Sequence, residues 1–380
     1  MPWQERSTMR LRDEFVQLAQ QDGANLRQLS RRFGISPTTG YKWLARSEQH
    51  EPLSDRSRRP HQSPGRCAAG VEATIVALRA RHPAWGARKL AHRLEVLGHA
   101  MPAVSTVHAV LRRHGLITPA ASTAAQPWQR FEHPEPNALW QMDFKGHVAM
   151  QQGRCHPLTV LDDHSRHAIV LQACGDQTRQ TVTDHLIAAF RRHGLPARMT
   201  MDNGAPWGTD GRHYTVLDVW LMRQGIRVGH SRPFHPQTQG KDERFHRTLK
   251  AEVMQGPPWT DLAHAQRDFD DWRIVYNHQR PHQSLDMQVP IKRYRPSARD
   301  YVERPAAPDY GDGDLVRRVQ ANGTIGWRGA QWKVGKAFAG EHVAVRPSHH
   351  DGQYDVFWST SRIASIQPAT GTIDAGRSPA

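Results

Sequence analysis

The feature that most constrains this chain is a change in the spacing of its apolar residues near position 137. Before it, apolar residues recur every three or four positions. Leu11, Phe15 and Leu18 fall on one helical face, and Leu26, Leu29 and Phe33 on a second. After it the period drops to two: Trp140, Met142 and Phe144 line one side of a strand, and Gln141, Asp143 and Lys145 the other. One chain carrying both periods in separate blocks is a multidomain protein, and 380 residues are enough for two or three cores.

In the first block, Gly34 ends the second helix, Ile35 fills the turn, and Ser36-Pro37 supplies an N-cap and first-turn proline for a third helix with Tyr41 and Leu44 on one face. This spacing predicts a helix-turn-helix over residues 1–47, with Thr38, Thr39, Lys42 and Arg46 presented to a DNA groove. A plain three-helix bundle is the alternative. Residues 48–70 read as a basic linker in which Arg58 and Arg59 either tether inertly or track a phosphate backbone. Over 71–117, Ile75, Leu78, Leu90, Leu94, Leu97, Val107 and Leu111 keep helical spacing, with Gly98 and Gly115 as stops and Ser105 as an N-cap. This predicts a second helical, winged-helix-like DNA-binding module, or else a structural spacer. A linker over 118–136, rich in Ala, Thr and Pro, follows.

Strand-like runs at Trp140–Phe144, Pro157–Leu161 and His167–Leu171 precede a helical stripe through Val182, Leu186 and Phe190. A short strand, Arg198–Met201, then runs into Asp202-Asn203-Gly204. Helix, strand and two further helices complete a β-β-β-α-β-α-β-α order, that of a ribonuclease H-like α/β core with a mixed sheet over 137–297. Short β-rich runs with Asn322-Gly323 and Asp351-Gly352 turns predict a small β-barrel over 312–367, with Arg317, Arg318, Arg328 and Lys333 as candidate DNA contacts.

Lysine and arginine total 51 against 36 acidic residues, a formal charge of +15, which points to a polyanionic partner. No apolar stretch approaches the roughly 20 residues that span a bilayer, so no membrane role is expected. Three scattered cysteines form neither a disulfide framework nor a zinc module, and the chain reads as cytoplasmic.

Cleaving a phosphodiester requires charge neutralisation at the attacking and leaving oxygens, which carboxylate-held divalent ions supply. Three carboxylates on separate elements suit that task. Asp143 sits mid-strand, Asp202 closes a strand, and Glu243 opens a helix on which His246, Arg247 and Lys250 follow at i+3, i+4 and i+7. Phe245, Leu249 and Val253 make that helix's buried face. Asp162 and Asp163 read as turn formers rather than as a further ligand.

Together, Leu139-Trp140-Gln141-Met142-Asp143-Phe144, Asp162-Asp163-His164-Ser165-Arg166, Met201-Asp202-Asn203-Gly204 and His235-Pro236-Gln237-Thr238-Gln239-Gly240-Lys241-Asp242-Glu243-Arg244-Phe245-His246 resemble the integrase core of bacterial insertion-sequence transposases related to retroviral integrases. Tyr276-Asn277 with Arg280-Pro281-His282 and Leu285 resembles the motif closing that core. The resemblance spans about 136–297. It implies a DDE triad of Asp143, Asp202 and Glu243 holding two Mg2+ ions, with Mn2+ able to substitute, and a basic role for Lys250. It further implies metal-dependent 3′-end cleavage and strand transfer on double-stranded transposon ends and target DNA. The enzyme would act as a homodimer or larger assembly at the bacterial nucleoid. The 41 positions from Asp202 to Glu243 exceed the usual spacing, an excess assigned to the polar stretch Thr209–His213. Two rival readings are a non-catalytic repressor derived from such an enzyme and a hydrolytic nuclease of the same architecture.

Overall fold

The structure, a computed structural model, describes residues 7–56, 67–117, 132–204, 206–208, 213–230 and 240–376. Arg58, Arg59, residues 235–239 of the longest motif and most of the polar stretch 209–213 lie outside the described residues. The chain divides into two compact units, Met1–Arg66 and Cys67–Ala380.

The first unit contains α1 (Thr8–Ala19), α2 (Leu26–Arg32) and α3 (Pro37–Glu48). Each starts on a polar cap: the side chains of Ser7, Asn25 and Ser36 accept from Arg10, Gln28 and Thr39 backbone N–H groups. Such caps satisfy donors that a helix start leaves orphaned. The core is Phe15, Val16 and Trp43, with Leu26, Leu29 and Phe33 packed around it. The face of α3 differs from the expected one. Gly40, Trp43 and Arg46 are buried, whereas Tyr41 is 56% exposed. A Cβ at Gly40 would lie 2.8 Å from the Phe15 ring, so the glycine lets α1 and α3 meet and thereby selects that face.

In the second unit, α4 (Ala69–Arg81), α5 (Ala87–Val96) and α6 (Val104–Arg113) enclose Ile75, Trp85, Leu90, Leu94, Val107 and Leu111. No strand accompanies them among the described residues 67–117, so no wing is seen. The cap of α6 is Ala103, and Ser105 is the second residue of the helix rather than its cap.

The central sheet comprises β1 (Trp140–Phe144), β2 (Val148–Ala149), β3 (Arg154–Asp162), β4 (Ala168–Cys174), β5 (Arg198–Met201) and β6 (Arg227–His230). Between its strands run α7 (Arg179–His193) and α8 (Val216–Arg223), and after them α9 (Gly240–Glu252) and α10 (Leu262–His278). β1, β3 and β4 pair antiparallel, while β1, β5 and β6 pair parallel, which is the mixed sheet the element order predicts. One face packs Trp140, Met142, Val160, Phe190 and Leu217. The other packs Leu161, Leu171, Phe245, Leu249, Phe269 and Tyr276. Val275 of α10 also packs against the α4–α6 core, so those helices rest on the sheet domain.

The C-terminal strands are β7 (Leu315–Arg318), β8 (Thr324–Trp327), β9 (Ala330–Lys333), β10 (His342–Pro347), β11 (Tyr354–Trp358), β12 (Ser361–Gln367) and β13 (Thr372–Ala375). They form a five-stranded antiparallel sheet, β13-β12-β11-β10-β7, and a two-stranded hairpin, β8-β9. The expected closed barrel is not formed. The edge strands β7 and β13 do not pair, and the hairpin instead seals the core with Ile325, Trp327 and Trp332 against Val343, Val356 and Ile363.

Candidate active site

Asp143 enters the site from β1 on the side opposite Met142 and Phe144, whose burial in the sheet core fixes its direction. Asp202 follows the last residue of β5, the parallel neighbour of β1. Adjacent strands lie about 4.8 Å apart, so the two carboxylates come from neighbouring strands at one end of the sheet. Their proximity registers electrostatically: burial, and then the charge of Asp202, push the Asp143 carboxyl up to about 7.

Each aspartate is braced. Asp202 accepts from the Gly204 backbone N–H at 2.9 Å, an Asx turn, and a Cβ at Gly204 would approach its carboxylate to 3.1 Å. The His230 ring at the end of β6 reaches the Asp202 carbonyl (Nδ1, 2.7 Å) and the buried Asp218 carboxylate (Nε2, 3.1 Å). Behind Asp143, the Thr159 hydroxyl donates to the Asp143 carbonyl at 2.9 Å, and His246 Nε2 lies 2.8 Å from that hydroxyl oxygen. Because the threonine proton is committed, the imidazole is the donor, leaving Nδ1 3.8 Å from Asp143 Oδ2. Burial holds the His246 pKa down at about 3.

Helix α9 presents its residues differently from the simple shared-face expectation. Asp242, Phe245, His246 and Leu249 are buried, while Glu243, Arg247 and Lys250 are exposed. His246, expected at DNA, is buried against β3 through Thr159. The i, i+3, i+4, i+7 face against the sheet includes it and leaves its former companions outside. Asp242 lies close enough to feel the charge of Asp143. Among the described residues neither of its buried carboxylate oxygens has a hydrogen-bond partner, and burial followed by the Asp143 charge raises its pKa strongly. Among the described residues, no three His, Cys, Asp or Glu side chains converge closely enough to hold a metal ion.

Arg46, also expected at DNA, is buried in the structure. Its guanidinium stacks over Trp43 and donates to the Ser54 carbonyl at 3.1 Å, because position 46 lies on the buried face of α3. Thr38 and Lys42 remain exposed, and Thr39 Oγ1 lies 2.9 Å from the hydroxyl of its cap, Ser36. Asp162 accepts from the backbone N–H and hydroxyl of Ser165, as a turn former does. Sequence reasoning missed His230, Thr159 and Asp218. A histidine ending the strand beside that of Asp202 was the available signal.

Comparison with known proteins agrees with this architecture along most of the chain. Residues 314–374 match the C-terminal domain model of the IS481 family of transposases, and 133–236 and 224–290 match integrase core domain models. Residues 12–61 match a helix-turn-helix domain and 39–111 a homeodomain-like domain. The 39.2 kDa protein of insertion element IS476 from Xanthomonas euvesicatoria is 24% identical over 291 residues, covering 72% of this chain and 82% of the relative. The 31.7 kDa protein of element IS407 from Burkholderia multivorans is 27% identical over 172 residues, 45% of this chain; the match spans 60% of that relative's length. A chain of the simian T-cell lymphotropic virus intasome in complex with PP2A regulatory subunit B56 gamma aligns at 14% identity with a TM-score of 0.39, covering 80% of this chain and 100% of that one. The chain is thus similar to insertion-element proteins, with matches to an integrase core and to the C-terminal domain of IS481-family transposases.

Proposed function

We propose that the chain is a DDE transposase that binds the terminal inverted repeats of its element, cleaves their 3′ ends and transfers them into target DNA. The observation carrying this reading is the placement of Asp143 and Asp202 on adjacent parallel strands, close enough that the charge of Asp202 raises the Asp143 carboxyl. The Asp242 carboxylate, without a hydrogen-bond partner among the described residues, adds a further acid near Asp143. Such a cluster fits hard divalent cations, and Asp143, Asp202 and Glu243 are the residues that would hold Mg2+ or Mn2+. The chemistry supplied on binding two such ions is neutralisation of charge on the attacking and leaving oxygens.

The chain's own groups account for the remaining work. Gly204 N–H and His230 fix the Asp202 turn, and Thr159 and His246 fix the Asp143 backbone, so both carboxylates are oriented before DNA arrives. Arg247 and Lys250, exposed beyond Glu243, face the phosphates of bound DNA. Thr38 and Lys42 of α3 read the end sequence, and 1–47 and 71–117 act as DNA-binding modules joined by the linkers 48–70 and 118–136. The core occupies 137–297, and the strands within 312–367 contribute Arg317, Arg318, Arg328 and Lys333. Two ends must meet, so a homodimer or larger assembly on nucleoid DNA in the cytoplasm is proposed. Among the described residues no helix is long and apolar enough to cross a membrane.

The test is incubation with labelled element ends in Mg2+ and in EDTA, beside Asp202→Asn and Glu243→Gln. Metal-dependent 3′ nicking and joining, lost in both variants with end binding kept, supports the proposal. End binding without chemistry in the wild-type protein refutes it in favour of a repressor.

A further inference from the structure

Asp163 stands one position beyond β3, is 1% exposed, and differs from its neighbour Asp162 in what it holds. Asp162 serves its own turn and the entry to β1. The Asp163 carboxylate gathers three donors from three separate places. The backbone N–H of His133, in the segment leading to β1, donates to Oδ2 at 3.0 Å. The side-chain amide of Gln141, on β1, donates to Oδ1 at 2.9 Å. The Lys241 ammonium, at the start of α9, donates to the same oxygen and forms a largely buried ion pair with it.

The positions of these donors matter. Gln141 precedes Asp143 by two residues on a strand, so both side chains leave the same face of β1. Lys241 precedes Glu243 by two residues on a helix, about 3 Å along its axis. A single buried carboxylate is thus tied to the carriers of both the first and the third member of the proposed triad. Phe245, His246 and Leu249 dock the later turns of α9 on the sheet.

We propose that Asp163 is a positioning residue that sets the separation of Glu243 from Asp143 through its bonds to Lys241 and Gln141. This rests on the DDE reading above. A buried, hydrogen-bonded acid of this kind orients ligand-bearing elements without touching the reacting atoms, and losing such a partner weakens metal affinity roughly 10- to 100-fold.

The test is calorimetric titration of the full chain with Mn2+, for wild type, Asp163→Asn, Lys241→Met, Lys241→Arg and Glu243→Gln, each with a thermal melt. The expected result is weakened Mn2+ binding in Asp163→Asn and Lys241→Met, with affinity largely restored in Lys241→Arg. Lys241→Met carries the test if Asp163→Asn does not fold, since Lys241 is partly exposed at a helix start. A merely structural role would lower the melting temperature and leave the Mn2+ affinity of the folded variants at the wild-type value. That outcome, beside weakened binding in Glu243→Gln, overturns the proposal alone. Wild-type affinity in Glu243→Gln overturns the assignment of Glu243 as a ligand, and the proposal with it.

Discussion

Asp242 and Glu243 are adjacent in the chain and opposite in circumstance, because one helical residue is a turn of about 100°. Asp242 is buried with neither oxygen hydrogen-bonded among the described residues, whereas Glu243 faces solvent. Replacing the buried acid by the isosteric apolar Asp242→Leu removes an unsatisfied group, so the metal-free protein should gain roughly 1–3 kcal/mol, read as a raised melting temperature. Glu243→Gln should leave the melt within about 0.5 kcal/mol of wild type. Buried histidines act in the other direction with acid. Burial lowers the pKa of His167 to about 3, His193 to about 4 and His246 to about 3, from a usual 6.5. A depressed folded-state pKa means that the unfolded chain takes up protons first as pH falls below 6.5, so stability present above that value is lost toward pH 4. Each such histidine contributes a slope of up to about 1.4 kcal/mol per pH unit. Asp143, raised to about 7, and Asp242 and Asp162, also raised by burial, oppose this, because their contribution is lost as pH rises through their folded values. Melts from about pH 7 down to about pH 4 should lose less stability in His246→Gln than in wild type.

At the scale of elements, what the sequence made legible follows from how far each element's burial is dictated locally. β1 was readable because apolar Trp140, Met142 and Phe144 alternate with polar Gln141 and Asp143, the period of a strand. The turns at Asp162 and Asp202 were readable because their acids bond neighbouring backbone. The face of α3 was not, since it depends on the approach of Phe15 to Gly40, a contact between helices that spacing does not encode. The inward turn of His246 was hidden for the same reason: it meets Thr159, 87 positions away. The barrel expectation failed because local strand and turn signals specify hairpins but not whether β7 and β13 meet. Two element-scale outcomes follow. Gly194 caps α7 at φ 72°, and a Cβ there would lie 2.6 Å from the Ser297 carbonyl oxygen, so Gly194→Ala should destabilise by about 1–3 kcal/mol in a denaturant melt. Leu249→Ala, beneath α9, should cost about 2–5 kcal/mol and loosen the helix that carries Glu243.

For the whole molecule, the division at Arg66 separates a unit with its own core from the unit holding every proposed catalytic group. A shortened chain beginning at Cys67 should keep metal-dependent nicking of DNA while losing preference for the element's ends, measured by competition between end-bearing and random duplexes. With a formal charge of +15, binding of the intact chain should fall steeply as salt rises, linearly on a log–log plot.

The same division orders events in time. Residues of the first unit leave the ribosome long before β5, β6 and α9 exist, and their core of Phe15, Val16 and Trp43 calls on nothing downstream. A half-made chain therefore already has its small helical unit folded while the paired aspartates, far apart in sequence, still await the strand and helix that complete them. Translation thus completes the helical unit before the elements carrying the paired aspartates are joined.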